Sequence, residues 1–468
     1  MATGVPRKRQ RINTSRLARE ANLFASTSRL EYSGKKSEAD VLIAPPAHIA
    51  TLWVGPGEEE KNRLYFGDNQ RVLARLLNDV AVRGKVRLVY IDPPFATQTT
   101  FHSRNLQHAY EDTLSGAEFI ESLRRRLILL RELLANDGSI YLHLDEKMVF
   151  HAKVIMDEVF GPGNYRNCIT RKKCNPKNYT RKKYGNVSDY ILFYTKSENY
   201  VWNRPVEPWT ESRAKEYQYI EPETGRRYMK VPVHAPGVRH GDTGKPWRGL
   251  LPPPGKHWQF PPSKLDQFDA AGEIFWSSNG NPRRKVYLDE SDGVGVQDIW
   301  TDFRDAHNQN ICITGYPTEK NPDLLKRIVE ASSNPGDLVL DCYSGSGTTL
   351  AVADRLGRRW IGIDNSPEAI RTTLQRFAVG TQPMGDFVTI RQNGLQTKNE
   401  RHDDRQPTLF GACEEKPESS SLAATHTPIL DFALMGETHL THLVADSVAA
   451  WQEQSTTELG SPSKVASP

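Results

Sequence analysis

Short apolar runs alternating with amphipathic stretches constrain this chain more than any other feature. At strand length the runs are Arg63–Phe66, Val86–Ile91, Ser139–Leu144, Tyr190–Tyr194, Leu338–Leu340 and Trp360–Ile363. Strands with helical patterns between them predict an α/β fold, a mostly parallel sheet covered by helices. From Ala117 to Ala135, Phe119, Ile120, Leu123, Leu127, Leu130 and Leu134 recur at three- and four-residue spacing, so one helix face packs on the sheet. Asp137-Gly138 reads as its stop.

Between about Tyr200 and Trp300 this rhythm breaks into Pro, Gly, Trp, Tyr and Arg, the mark of an inserted irregular domain. Its clusters Gly244-Lys245-Pro246-Trp247-Arg248-Gly249 and Lys256-His257-Trp258 suit base stacking and phosphate contact, or equally a small aromatic core. Only 37% of the chain is apolar, which points to unpacked length at the two ends. The first is basic, with Arg7, Lys8, Arg9, Arg11, Arg16 and Arg19; the second drifts into Gln, Ser, Thr, Glu and Pro. A net charge of +4 is too small to argue for nucleic acid, but a local cluster does so: Arg166, Arg171, Lys172, Lys173, Lys177, Arg181, Lys182 and Lys183, with Tyr165, Tyr179 and Tyr184 interleaved. Five cysteines without Cys-x-x-Cys spacing favour neither a disulfide framework nor a zinc knuckle, and no metal is expected. No apolar stretch reaches the roughly 20 residues of a membrane span, so the expected location is cytoplasmic, with no membrane partner.

Two motifs carry chemistry. Leu340-Asp341-Cys342-Tyr343-Ser344-Gly345-Ser346-Gly347-Thr348-Thr349 follows an apolar strand and opens a helix. Without Cβ atoms, Gly345 and Gly347 let the backbone turn sharply and approach a ligand, with helix N–H groups aimed at it. Roughly 20 residues on, a second strand ends in Ile363-Asp364, where a carboxylate can accept ribose hydroxyls. The pair suits an adenosine-type ligand, but NAD, FAD and S-adenosylmethionine folds all use such a turn.

Val89-Tyr90-Ile91-Asp92-Pro93-Pro94-Phe95 discriminates among them. The exocyclic amine of adenine is a poor nucleophile because its lone pair is delocalised into the ring. Hydrogen bonds from the amine to the Asp92 carboxylate and the Pro93 carbonyl would localise that pair. The prolines fix φ and remove competing N–H donors, and Phe95 can stack on a base swung out of the duplex. Standing alone, the motif would read equally as a strand-terminating turn. Methyl transfer from a sulfonium needs alignment and no covalent nucleophile. The absence of a Pro-Cys pair argues against cytosine C5 chemistry.

Together these motifs resemble those of the β-group DNA amino-methyltransferases, related to the Mod subunits of type III restriction systems. In that group the order is permuted, with the Asp-Pro-Pro-aromatic motif first, the target-recognition region next and the Gly-rich loop last. The resemblance extends from about Tyr65 to about Phe377 and includes Gly138 to Asp145, Tyr190 to Tyr194, Gly315 to Lys320 and Ala331 to Asp337. It implies a Rossmann-like, seven-stranded methyltransferase sheet with circularly permuted motif order and an inserted target-recognition domain. The expected organisation is a basic flexible tail at 1–45, a catalytic half at 46–199, the insert at 200–310, a cofactor-binding half at 311–380 and a low-complexity, disordered tail at 381–468.

The resemblance also implies site-specific methyl transfer from S-adenosyl-L-methionine to N6 of adenine in double-stranded DNA after base flipping. Asp92, Pro93, Pro94 and Phe95 would be catalytic. Asp341, Tyr343, Gly345, Gly347, Thr348, Asp364 and Asn365 would hold the cofactor, Thr318 and Lys320 its methionine carboxylate, and Asp68 its adenine. Asp68 also reads simply as an N-cap. Arg171, Lys172, Lys173, Lys177, Arg181, Lys182 and Lys183 would contact DNA. In the family the lysine is usually followed by proline, whereas Asn321 intervenes here, and Cys342-Tyr343 replaces Pro-Phe. The alternatives are N4-cytosine methylation and an inactive DNA-binding subunit of the same fold. The resemblance admits a restriction or helicase subunit and a second copy of the chain as partners.

Overall fold

The computed structural model describes residues 28–56, 62–94, 100–102, 108–111, 116–174, 182, 184–211, 213–303, 312–316, 319–383 and 427–458. They divide into two compact units, Met1–Asn203 with Asp298–Pro468, and Arg204–Gln297.

The larger unit is built on a ten-stranded sheet. Its strands are β1 (Ile49–Val54), β2 (Asn62–Phe66), β3 (Val86–Ile91), β4 (Leu134–Leu144), β5 (Tyr165–Lys172), β6 (Ser188–Thr195), β7 (Ile299–Trp300), β8 (Leu338–Asp341), β9 (Arg359–Asp364) and β10 (Phe432–Glu437). They lie in the order β1-β10-β2-β9-β8-β3-β4-β6-β5-β7. Six of the ten contain the strands read from the sequence. The run from β2 to β5 is the expected seven-stranded sheet, parallel from β2 to β4, with β6 antiparallel between β4 and β5. Three strands extend it: β10 parallel to β2, β1 antiparallel to β10, and β7 parallel to β5.

Helices α1 (Asn69–Leu76), α2 (Gly116–Leu133), α3 (Val149–Phe160), α4 (Pro322–Ser332), α5 (Thr348–Arg355), α6 (Pro367–Val379) and α7 (Ala445–Glu458) flank these strands in the chain. Phe119, Leu123, Leu127 and Leu130 of α2 are buried in the main core with Ile140 and Leu142 of β4, as the spacing requires. The helix ends earlier than Asp137-Gly138 implies. Leu134 already pairs with Val86 of β3, and a bulge separates that pair from Leu88 and Ser139.

Both expected tails are partly structured. Tyr32 donates its hydroxyl to Glu121 of α2 at 2.7 Å, and Lys35 Nζ reaches Glu158 of α3 at 2.9 Å, so 28–45 is packed against the core. Within 381–468, β10 lies inside the sheet. Its Phe432 has ring centroids of Trp53, Phe377, Trp451 and Trp360 at 4.8, 5.3, 5.4 and 5.7 Å. The low-complexity reading therefore fails for 427–458. The insert is also shorter than 200–310, because β7 belongs to the central sheet and the Asp298 carbonyl accepts the Thr170 N–H.

The smaller unit holds a four-stranded antiparallel sheet of Tyr219–Ile220, Arg227–Pro232, Pro282–Tyr287 and Ile274–Trp276, with a helix at Pro262–Ala270. Trp247 and Trp258 are buried with Val233, Leu265, Phe268 and Ile274. Trp247 donates to Asp266 and Trp258 to the Lys245 carbonyl. Of the two readings of these tryptophans, the small aromatic core is the one observed. Among the described residues no helix is long and apolar enough to cross a membrane.

Candidate active site

The chain leaves β3 towards β4 on one side and leaves β8 towards β9 on the other, although β3 and β8 are parallel neighbours. Connections that diverge this way open a crevice at the carboxyl ends of the strands. Asp92 follows the end of β3 and Asp341 ends β8, so the two motifs, far apart in sequence, meet at one place.

Asp92 has differentiated oxygens. Its Oδ2 lies 2.7 Å from Lys320 Nζ, with both side chains largely buried. Its Oδ1 is buried without a hydrogen-bond partner among the described residues. A carboxylate oxygen is costly to bury unsatisfied, so Oδ1 is an acceptor awaiting a donor. Pro93 is buried and Pro94 half-buried. Phe95 and Thr318 lie outside the described residues. Lys320, expected at the cofactor's carboxylate, is here directed at Asp92.

The Gly-rich turn has the backbone its glycines allow: Gly345 has φ 51° and Gly347 φ 71°. A Cβ at Gly347 would come within 2.7 Å of Thr373, whereas Gly345 faces the Tyr316 ring. Gly345 N–H donates to Asp364 Oδ2 at 2.8 Å and Ser366 N–H to Asp364 Oδ1 at 2.9 Å. Asp341 Oδ1 accepts the Tyr343 N–H at 2.9 Å. Burial, then the charges of Asp92 and Asp364, push the Asp341 carboxyl up to about 7, against partial compensation from Thr349 and the Tyr343 N–H. Burial likewise raises Asp364. Tyr343 is half-buried and Asn365 exposed. Thr348 is buried, its hydroxyl held by Arg376 at 3.1 Å.

Two residues missed at the sequence level tie this turn to the Lys320 segment. Arg376 of α6 donates to the Ser346 carbonyl at 2.7 Å and pairs with Glu319, which accepts from Thr314 N–H and hydroxyl. The acid beside Lys320 was visible in the sequence; its partner on a distant helix gave no local signal. Asp68 caps α1 through the Arg71 N–H at 3.1 Å and remains half-exposed. The Gly67 N–H donates to the Asp364 carbonyl at 2.9 Å, so this turn adjoins the end of β9.

Arg171 does not belong with the DNA contacts. It is fully buried, donating to the Phe303 carbonyl at 2.8 Å and to Asp189 at 3.1 Å. Asp189 also lies 3.1 Å from His143 Nε2, and His143 Nδ1 meets the Tyr90 hydroxyl at 2.8 Å. Burial alone would raise the Asp189 carboxyl, but His143, Arg171 and Lys320 hold it well below the usual range. Alternation explains the placement: Ile169 and Arg171 point to the buried face of β5, and Lys172 is more exposed. Lys172 and Lys173 are partly exposed and Lys182 exposed, while Lys177, Arg181 and Lys183 lie outside the described residues.

The acid that follows β3 and the glycine-rich turn that follows β8 open on this crevice, and residues 86–375 match the DNA methylase family. The chain belongs to that family, the S-adenosylmethionine-dependent DNA methyltransferases of the N6-adenine/N4-cytosine type. It is 48% identical over 370 residues to Type II methyltransferase M.EcaI of Enterobacter cloacae, covering 78% of this chain and 80% of that one. It is 25% identical over 383 residues to the type III restriction-modification enzyme StyLTI Mod subunit of Salmonella typhimurium, covering 71% of this chain and 56% of the relative. Over 98 residues it is 43% identical to DNA adenine methyltransferase YhdJ of Escherichia coli, covering 20% and 33%.

The crevice suits a cationic adenosine-containing cofactor. A Cβ at Gly345 would rest in ordinary contact with the Tyr316 ring at 3.5 Å, and the repulsion of Asp341 by Asp92 and Asp364 is relieved by positive charge. Because the folded-state value of Asp341 lies above the ordinary carboxylate value, the group favours folding at acid pH, and that contribution is lost as pH rises through about 7. A sulfonium favours the ionised form. Cofactor affinity measured by calorimetry is therefore expected to rise up to about tenfold per pH unit between about pH 6 and 7 and then level off. Asp341→Asn should flatten the profile, and the neutral thioether S-adenosylhomocysteine should depend less on pH. A pH-independent affinity would remove Asp341 from cofactor binding.

Proposed function

We propose that the chain methylates N6 of adenine at specific sites in double-stranded DNA, acting on a base swung out of the helix. The observation that supports it most directly is the buried Oδ1 of Asp92 just past the carboxyl end of β3, which has no hydrogen-bond partner among the described residues. In this reading Oδ1 and the Pro93 carbonyl accept the two amine N–H bonds and localise the nitrogen lone pair. Lys320 occupies Oδ2 and so leaves Oδ1 to the substrate. In the same reading that oxygen takes the proton the nitrogen sheds as its new bond forms. Phe95 would stack on the base. Bound S-adenosylmethionine supplies an electrophilic methyl carbon; Asp341, Tyr343, Gly345, Gly347, Thr348, Asp364, Asn365, Lys320, Thr318 and Asp68 would hold it.

In the family the chain resembles, Asp rather than Ser at the head of the Pro-Pro motif favours adenine, and one relative carries adenine in its name. Lys172, Lys173, Lys177, Arg181, Lys182 and Lys183 would contact phosphates, which position DNA without reading its sequence. The name of the Mod relative points to a restriction subunit as a further partner. DNA methylated by the purified protein, digested and resolved by mass spectrometry, is expected to yield N6-methyldeoxyadenosine. N4-methyldeoxycytidine as the product would overturn the choice of base.

A further inference from the structure

β10 brings to the cofactor side of the sheet a buried acid that no motif accounts for. Glu437, its last residue, is 1% exposed. Its Oε1 accepts the Asp68 N–H at 2.8 Å, and its Oε2 pairs with Arg71 Nη1 at 2.9 Å, off the hydrogen-bond axis. Gly67 fits against it only because it lacks a side chain: a Cβ there would stand 2.6 Å from Glu437 Cγ. The Gly67 N–H is held in turn by the Asp364 carbonyl. One short turn is thus fixed on one side by the strand bearing Asp364 and on the other by a carboxylate from the far end of the chain. A buried carboxylate without hydrogen bonds or a counter-charge is strongly disfavoured. Here each oxygen has a partner on the turn or on α1, so the carboxylate specifies where the turn sits.

We propose that Glu437 is a positioning residue of the cofactor site, holding the turn at Gly67 so that Asp68 stands beside Asp364, and that β10 is an integral part of that site. The proposal rests on Asp68 as the contact to the cofactor's adenine. It places a binding determinant outside residues 86–375, the span matched by the family.

The test is calorimetric titration of the full chain with S-adenosylhomocysteine, together with kcat at saturating cofactor. Glu437→Gln is expected to raise Kd about tenfold, while kcat stays within about twofold, since one charge-assisted hydrogen bond to the turn is weakened. Gly67→Ala, which displaces the carboxylate from the opposite side, should shift Kd in the same direction and stands in if the Glu437 variant does not fold. In an Asp68→Ala background the Glu437→Gln step should add less than about twofold, because both act through one turn. Unchanged affinity in both variants, a loss that adds in full to that of Asp68→Ala, or an equal fall in kcat overturns the proposal. The titration contains no DNA, so its failure is distinguishable from failure of the target-base assignment, which is judged on the methylated nucleoside.

Discussion

Asp92→Asn is expected to lower kcat at saturating cofactor by about 10²–10³-fold, the loss typical when one group aimed at the reacting centre is removed, with the fold retained. The asymmetry of the two carboxylate oxygens gives the reason. Lys320 donates at 2.7 Å to Oδ2, so in the amide variant the carbonyl oxygen turns to the lysine. The NH2 group then occupies the place of Oδ1 and presents donors to an amine that needs an acceptor. Asp92→Ala should be equally inactive but less stable, because it takes from a largely buried ammonium its 2.7 Å partner. Single-turnover methylation with labelled cofactor, thermal unfolding and cofactor titration separate these effects. Full activity in a folded Asp92→Asn protein would take Asp92 out of the chemistry.

The second large effect is on stability. Phe432 has no exposed surface and sits among Trp53, Trp360, Phe377 and Trp451. Phe432→Ala should cost about 3–5 kcal/mol, a large part of the stability of a typical domain. Ending the chain before residue 427 is harsher. It removes β10 from between β1 and β2, exposes the β2 edge and strips the ring of Trp53 of both Phe432 and Trp451. An exposed edge of this kind templates association between chains, so the shortened protein is expected in the insoluble fraction. A soluble, cooperatively unfolding product would show that the segment is dispensable.

The parallel core was legible because strands buried on both faces read as near-continuous apolar runs, as Leu88–Ile91 and Leu338–Leu340 do. The crevice was legible because both motifs sit at strand ends and the fold brings strand ends together. β10 was not. Phe432–Glu437 is short, contains Gly436, and follows a long polar stretch, so nothing local marks it as a partner for β2. Arg171 was misread for another reason. A run of cations announces charge but not direction, and only the two-residue alternation with Ile169 turns that side chain inward. Lys320 shows a third limit: the residue was found, while its partner Asp92 emerged only from adjacency in space.

Glu437 accepts a hydrogen bond from a residue 369 positions earlier. At ribosomal rates of roughly 5–20 residues per second, about 20 to 70 seconds separate the synthesis of the two. Only in the last quarter of that interval, once Thr349 has been made, does the emerging polypeptide carry both motifs, with the rim beside Asp68 still unfinished. On the proposal that Glu437 positions this rim, a nascent chain would acquire its grip on the cofactor late in translation, long after Asp92 has been made.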